Sequence, residues 1–169
     1  MSTIHLGLGS NLDDRYENIN QAINQITNHP CIHSVIVAPL FINPAITPTP
    51  QPMFINTVIK AETTLTPTEL LHATQTIETQ LGQAIDKHLA PRLIDIDILF
   101  VDDYIQATPT LTLPHPEISH REFVLKPCQA ISPDLIHPVL GLTIQELYDR
   151  YLRHHSANRN YDRPVTHTR

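Results

Sequence analysis

The chain has 169 residues, with 11 Lys+Arg against 17 Asp+Glu and a formal net charge of −6, which suits one domain with its own core. The acidic balance argues against a nucleic-acid partner held by backbone phosphates, and no apolar run approaches the ~20 residues of a membrane span. Two distant cysteines, Cys31 and Cys128, and an N-terminus without a basic or cleavable leader, predict a reduced, cytoplasmic setting.

Ile4 to Leu8 is a short apolar run that ends in Gly9-Ser10-Asn11, hence a strand and a turn. Tyr16, Ile19, Ala22, Ile23 and Ile26 then recur at helical steps, and Asn28-His29-Pro30 stops that helix. Cys31 to Phe41 has the Val and Ile of a strand. Asn43 to Met53 carries Pro44, Pro48, Pro50 and Pro52, a loop longer than packing alone would ask for. Phe54 to Thr63 is again a strand. Thr66-Pro67-Thr68-Glu69 is a capping box with proline at the first helical position. Leu70, Leu71, Thr74, Ile77 and Leu81 form the buried side of its helix, which Gly82 closes. A second loop, Gln83 to Pro91, precedes a strand from Leu93 to Val101, and Asp102-Asp103 forms a turn. Helices follow over Ser119–Ile131 and, behind a second capping box, Thr143–Arg153. Residues 1–153 thus make one domain, and 154–169 a frayed tail. The order β-α-β, β-α-β predicts an α+β, ferredoxin-like split βαβ fold (βαββαβ): an antiparallel sheet with helices on one face and helical segments added at the C-terminal end.

Asp95-Ile96-Asp97 is the most informative triplet. Strand alternation places both carboxylates on one face, with Ile94, Ile96 and Ile98 on the other. Carboxylates at i and i+2 lie roughly 7 Å apart and repel, which a divalent cation between them relieves; oxygen-only ligands favour Mg²⁺. A solvated strand face is the plain alternative. His115 and Arg121, in and after a proline-bracketed turn, suit a phosphate, or simply satisfy the turn. Zinc on His115 and His120 lacks a third ligand at the right spacing. Gln75 and Glu78 stand three apart on one helix, as surface pairs also do. Phe54 and Phe123 fit a core, or a sandwich around a flat ring. With 4 Gly in all, the chain has neither a Rossmann fingerprint (Leu12 stands where the third glycine belongs) nor a P-loop.

Gly9-Ser10-Asn11-Leu12, Gln51-Pro52 with Phe54-Ile55-Asn56, Pro91-Arg92 with Asp95-Ile96-Asp97-Ile98-Leu99, and Leu113-Pro114-His115-Pro116 with Arg121 and Phe123-Val124-Leu125 together resemble the 6-hydroxymethyl-7,8-dihydropterin pyrophosphokinase family. The resemblance runs from about Ile4 to Pro138. It implies a monomer that transfers diphosphate from ATP to the pterin hydroxymethyl group and releases AMP. It implies Arg92, Asp95 and Asp97 as catalytic residues, with two Mg²⁺ on Asp95 and Asp97. Gln75, Glu78, Arg92, Ile98, Thr112, His115 and Arg121 would bind ATP, and Asn43, Ile46, Phe54, Asn56 and Phe123 the pterin. The two long loops would be lids. The second loop departs from the family pattern, with Gln83 where arginine is usual, and Asn43 stands where threonine is common. That loop motivates the alternative of a catalytically weak or non-catalytic nucleotide-binding relative. An RNA-binding module is disfavoured, since the central strands offer a single aromatic, Phe100.

Overall fold

A computed structural model of the chain describes residues 1–43, 52–82 and 93–159. In chain order the elements are β1 (Ser2–Ser10), α1 (Arg15–Thr27), β2 (Ile32–Val37), β3 (Phe41–Asn43), β4 (Phe54–Thr63), α2 (Pro67–Gln80), β5 (Asp95–Val101), the short pair β6 (Gln106–Ala107) and β7 (Thr112–Leu113), a 3₁₀ turn (Ile118–His120), α3 (Glu122–Ile131) and α4 (Ile144–Arg159). The main sheet runs β2-β4-β1-β5, every neighbour antiparallel, with β3 also on β4. This is the ferredoxin-like strand order.

The helices cover both faces of the sheet rather than the single face expected. Beneath α1 and α2, Ile4, Leu6 and Leu8 of β1 pack with Ile55 and Ile59 of β4 and Ile96 and Ile98 of β5. Beneath α3 and α4, Val58, Leu99 and Phe100 meet Val124, Leu125, Cys128, Ile144 and Leu147. With Val58, Leu99 and Phe100 on its second side, the sheet has apolar side chains there too that are not left to water. The register of β1 against β5 slips between His5 and Leu6: His5 pairs with Phe100 and Leu6 with Ile98, so Leu99 is the extra residue. Beyond this bulge the parity of β5 reverses, and Phe100 joins the second core while Val101 joins the first.

Both predicted capping boxes form. Thr66 Oγ1 accepts from the Glu69 N–H while the Glu69 carboxylate accepts from the Thr66 N–H, and Thr143 and Glu146 exchange the same bonds. The strand expected over 31–41 is two strands, Ile32–Val37 and Phe41–Asn43, separated at 38–40, where Pro39 has no N–H to donate. The helix expected from Ser119 starts at Glu122, since Arg121 is extended (φ −122°, ψ 105°) and separates it from the 3₁₀ turn. The last helix runs past Arg153 to Arg159, so the first six residues of the expected tail are helical. A stacked Tyr151–His155 pair, one turn apart with centroids 3.8 Å apart, supports that extension. The remainder of that tail, 160–169, lies outside the described residues.

His5 is 2 % exposed in the second core, its ring edge-on to Phe100 and its Nε2 2.9 Å from Ser132 Oγ. Burial, then the Lys60 ammonium across the strand, pushes its pKa from 6.5 down to about 4. The unfolded chain therefore takes up this proton at a higher pH than the folded one. Stability that is complete above about pH 6.5 is lost as pH falls toward 4, by roughly 3 kcal/mol over that window. Urea unfolding of wild type and His5→Gln between pH 4 and 7 should show a shallower acid-side decline in the variant. Equal slopes would mean that His5 is not the group responsible.

Candidate active site

The second face of the sheet opens at the end of β1. Ser10, fully buried, donates to the Leu93 carbonyl and accepts from Asn18 Nδ2 at 3.2 Å. This tie from the Gly-Ser-Asn turn sets where β5 begins, and with it Asp95 and Asp97. Cross-strand pairing puts Gly7 opposite Asp97 and Gly9 opposite Asp95.

Two hollows meet at this edge. The first, about 410 Å³, is lined by Gly7, Gly9, Asn43, Phe54, Asn56, Asp95, Asp97, Arg121 and Phe123. The second, about 320 Å³, lies along the outer side of β5 and is lined by Gln75, Glu78, Asp95, Asp97, Ile98, Thr112 and His115, with Thr108 to Leu111. Asp95 and Asp97 belong to both. The residues that the resemblance gives to the pterin gather in the first hollow, except Ile46. Those it gives to ATP gather in the second, except Arg92 and Arg121. Ile46 and Arg92, like most of the two long loops, lie outside the described residues. Arg121 lines the first hollow instead, its guanidinium 5.5 Å from the Phe123 ring centroid.

Asp97 is the electrostatic centre of the described site. Its Oδ2 lies 3.8 Å from Arg121 NH1 and 3.9 Å from His115 Nε2. Burial holds the His115 imidazole below its ordinary pKa; Asp97 pulls the other way, Arg121 adds to the lowering, and Glu117 opposes it. His115 Nδ1 accepts from the Glu117 N–H at 3.1 Å, which leaves the ring proton on Nε2, facing Asp97. His115 is thus a neutral donor, and Arg121 the cation. A turn built on the cis Leu113–Pro114 peptide carries His115, whose N–H bonds to the Leu99 carbonyl at 2.9 Å.

Glu78 departs from a surface-pair reading. It is 4 % exposed, and its Oε1 accepts from the Ile96 N–H at 2.8 Å, while Gln75 is exposed on the same helix. Gly7 and Gly9 were not among the expected site residues, although strand alternation from Leu6 and Leu8 already puts them on the carboxylate side. Thr108 to Leu111 gave no periodic signal that could have found them.

Asp95 and Asp97 supply only oxygens, on one face of one strand, at a wall shared by two hollows. That set fits a hard divalent cation whose remaining ligands are phosphate and water. Among the described residues no group of three or more His, Cys, Asp or Glu stands ready to hold a metal by itself. Nor is any described helix long and apolar enough to cross a membrane.

Comparison with known proteins finds relatives in both fold and sequence. Solved structures include Plasmodium falciparum HPPK-DHPS wild type with SDX-DHP, which matches 94% of this chain and 46% of that one with a TM-score of 0.77 at 15% identity, a likeness of fold alone. Folic acid synthesis protein fol1 of Schizosaccharomyces pombe is 38% identical over 146 residues, 86% of this chain but 20% of that protein. The chain thus spans about a fifth of the fungal relative. Bacterial relatives named 2-amino-4-hydroxy-6-hydroxymethyldihydropteridine pyrophosphokinase are matched over most of their length: that of Pseudomonas aeruginosa at 37% identity over 80% of this chain and 83% of its own, that of Haemophilus influenzae at 33% over 91% and 96%. The model of the 7,8-dihydro-6-hydroxymethylpterin-pyrophosphokinase family matches residues 5–133, and the chain belongs to that family.

Proposed function

We propose that the chain transfers diphosphate from ATP to the hydroxymethyl group of 6-hydroxymethyl-7,8-dihydropterin, releasing AMP. The observation that carries this is the pair of hollows joined at Asp95 and Asp97. A transfer between two substrates needs their reacting ends at one place, held in line, with the phosphate charge neutralised there. The first hollow, with Phe54, Phe123 and the Asn56 carboxamide, suits a flat ring with a polar edge. The second, with Gln75, Ile98, Thr112 and His115, takes the nucleotide. Mg²⁺ held by Asp95 and Asp97 would offset the charge of the phosphate oxygens. Arg121 binds charge on the same wall, and His115 donates from Nε2. The family and its bacterial relatives are named for pyrophosphoryl transfer, so the non-catalytic alternative is not favoured. The chain acts as a monomer on small molecules, and its two free thiols suit a reducing, cytoplasmic setting.

AMP formation by the purified chain with ATP, Mg²⁺ and the pterin tests this directly: pterin-dependent AMP is expected, and its absence would sink the proposal. Phe123→Ala should weaken pterin binding about tenfold, roughly 1 kcal/mol or more of lost stacking, while sparing ATP. Calorimetry with each ligand checks it; equal losses for both would make Phe123 a packing residue only.

A further inference from the structure

Asn56 is 6 % exposed yet lines the first hollow, and it is held from two sides. On one side its Nδ2 donates to Asn43 Oδ1, from the end of β3. On the other it sits opposite Gly9 of β1, where an added Cβ would fall 2.6 Å from Asn56 Oδ1, closer than real Cβ atoms come. A hydrogen on the Gly9 Cα points that way instead. An amide oxygen suits that place, as in the Cα–H···O contacts between strands, whereas an NH₂ group would set hydrogen against hydrogen. Two separate contacts therefore favour one rotation of the carboxamide, nitrogen toward Asn43 and oxygen over Gly9.

We infer that Asn43 and Gly9 are positioning residues that lock the Asn56 carboxamide in one of its two flips and thereby set which ring edge the first hollow accepts. This rests on the function proposed above. With one N–H spent on Asn43, Asn56 keeps one N–H and its oxygen for a ligand, a donor beside an acceptor. A ring edge that offers an acceptor beside a donor, as the amide-like edge of a 2-amino-4-oxo pterin does, satisfies both. The flipped amide would oppose donor to donor and acceptor to acceptor, and such mismatches are rejected strongly in a buried site. Asn43 lines the first hollow and also acts on the substrate through Asn56.

Three variants test this, with pterin and ATP affinities measured separately by calorimetry and with turnover split into kcat and KM. Asn43→Leu removes the acceptor at similar size and should weaken pterin binding about tenfold or more while leaving ATP affinity within about twofold. Asn43→Asp keeps an acceptor for Nδ2 and should recover most of that loss. Gly9→Ala pushes on Oδ1 and should weaken pterin binding as Asn43→Leu does. A merely structural role for Asn43 would not separate leucine from aspartate. Wild-type pterin affinity in Asn43→Leu, or aspartate failing as leucine does, overturns the inference. A wild-type chain that binds ATP but no pterin would instead overturn the proposed function, and this inference with it.

Discussion

Replacing Asp97 by alanine should abolish AMP release, by at least ~10²–10³-fold, with the fold unharmed. Asp97 lines both hollows, and its Oδ2 is the point toward which Arg121 and His115 converge, at 3.8 and 3.9 Å. Its loss removes one of the two carboxylates available to hold a divalent cation at the shared wall, and leaves Arg121 without its anion. The side chain is partly exposed and its neighbour two residues away is also a carboxylate, so truncation relieves repulsion and opens no void in either core. A thermal melt close to wild type with AMP release near background is the expected pair of readings. Near-normal AMP release would remove Asp97 from the chemistry.

Arg121→Ala should lower turnover on the order of 10²-fold or more, with a much smaller effect on ATP binding. Among the described residues, Arg121 is the arginine that lines either hollow. Its guanidinium is shared between Asp97 and the face of Phe123. A phosphate arriving at that wall offers it a stronger acceptor, and the contact gains as charge builds on the oxygen that leaves with AMP. Interactions that strengthen only in the reacting state appear in kcat, and those made equally in the ground state appear in binding. Arg121→Lys should restore only part of the rate, because an ammonium keeps the charge but not the planar fork that fits both an aromatic face and a phosphate. Single-turnover kinetics decide the matter: an unchanged chemical step with weaker pterin binding would make Arg121 a partner of Phe123 alone. The resemblance would also give Arg92 to the phosphates, and Gln83 stands where a further arginine is usual. The fewer the cations that share the load, the larger the Arg121 effect.

Much of this site was legible in residue order because it is built on a strand. Alternation alone separates Asp95 and Asp97 from Ile94, Ile96 and Ile98, and the same rule would have found Gly7 and Gly9. The capping boxes at Thr66 and Thr143 were legible because both partners lie within one turn. What could not be read is non-local. An apolar stripe on α3 or α4 says that it is buried, not on which side of a sheet. The bulge that sends Phe100 and Val101 to opposite cores depends on how β1 and β5 align, which neither strand encodes alone. Arg121 is six residues from His115 in a polar turn, and only the extended backbone at Arg121 itself turns it toward Phe123. The burial of Glu78 follows from a packing partner eighteen positions away.

That partner has a consequence for how the molecule behaves in a crowd. β5 is the last strand on its side of the sheet, so its outward N–H groups could template a strand from another chain. The Glu78 carboxylate occupies the Ile96 N–H, standing where a sixth strand would begin. The opposite margin, β2, is blunted differently: the left-handed Ser34 and the register slip between His33 and Ile36 bend it, although Ile36 and Val37 are exposed there. A side chain at position 78 unable to accept from Ile96 would leave a buried donor unpaired and one margin open to edge-to-edge association. The acid that lines the second hollow thus also caps this margin of the sheet.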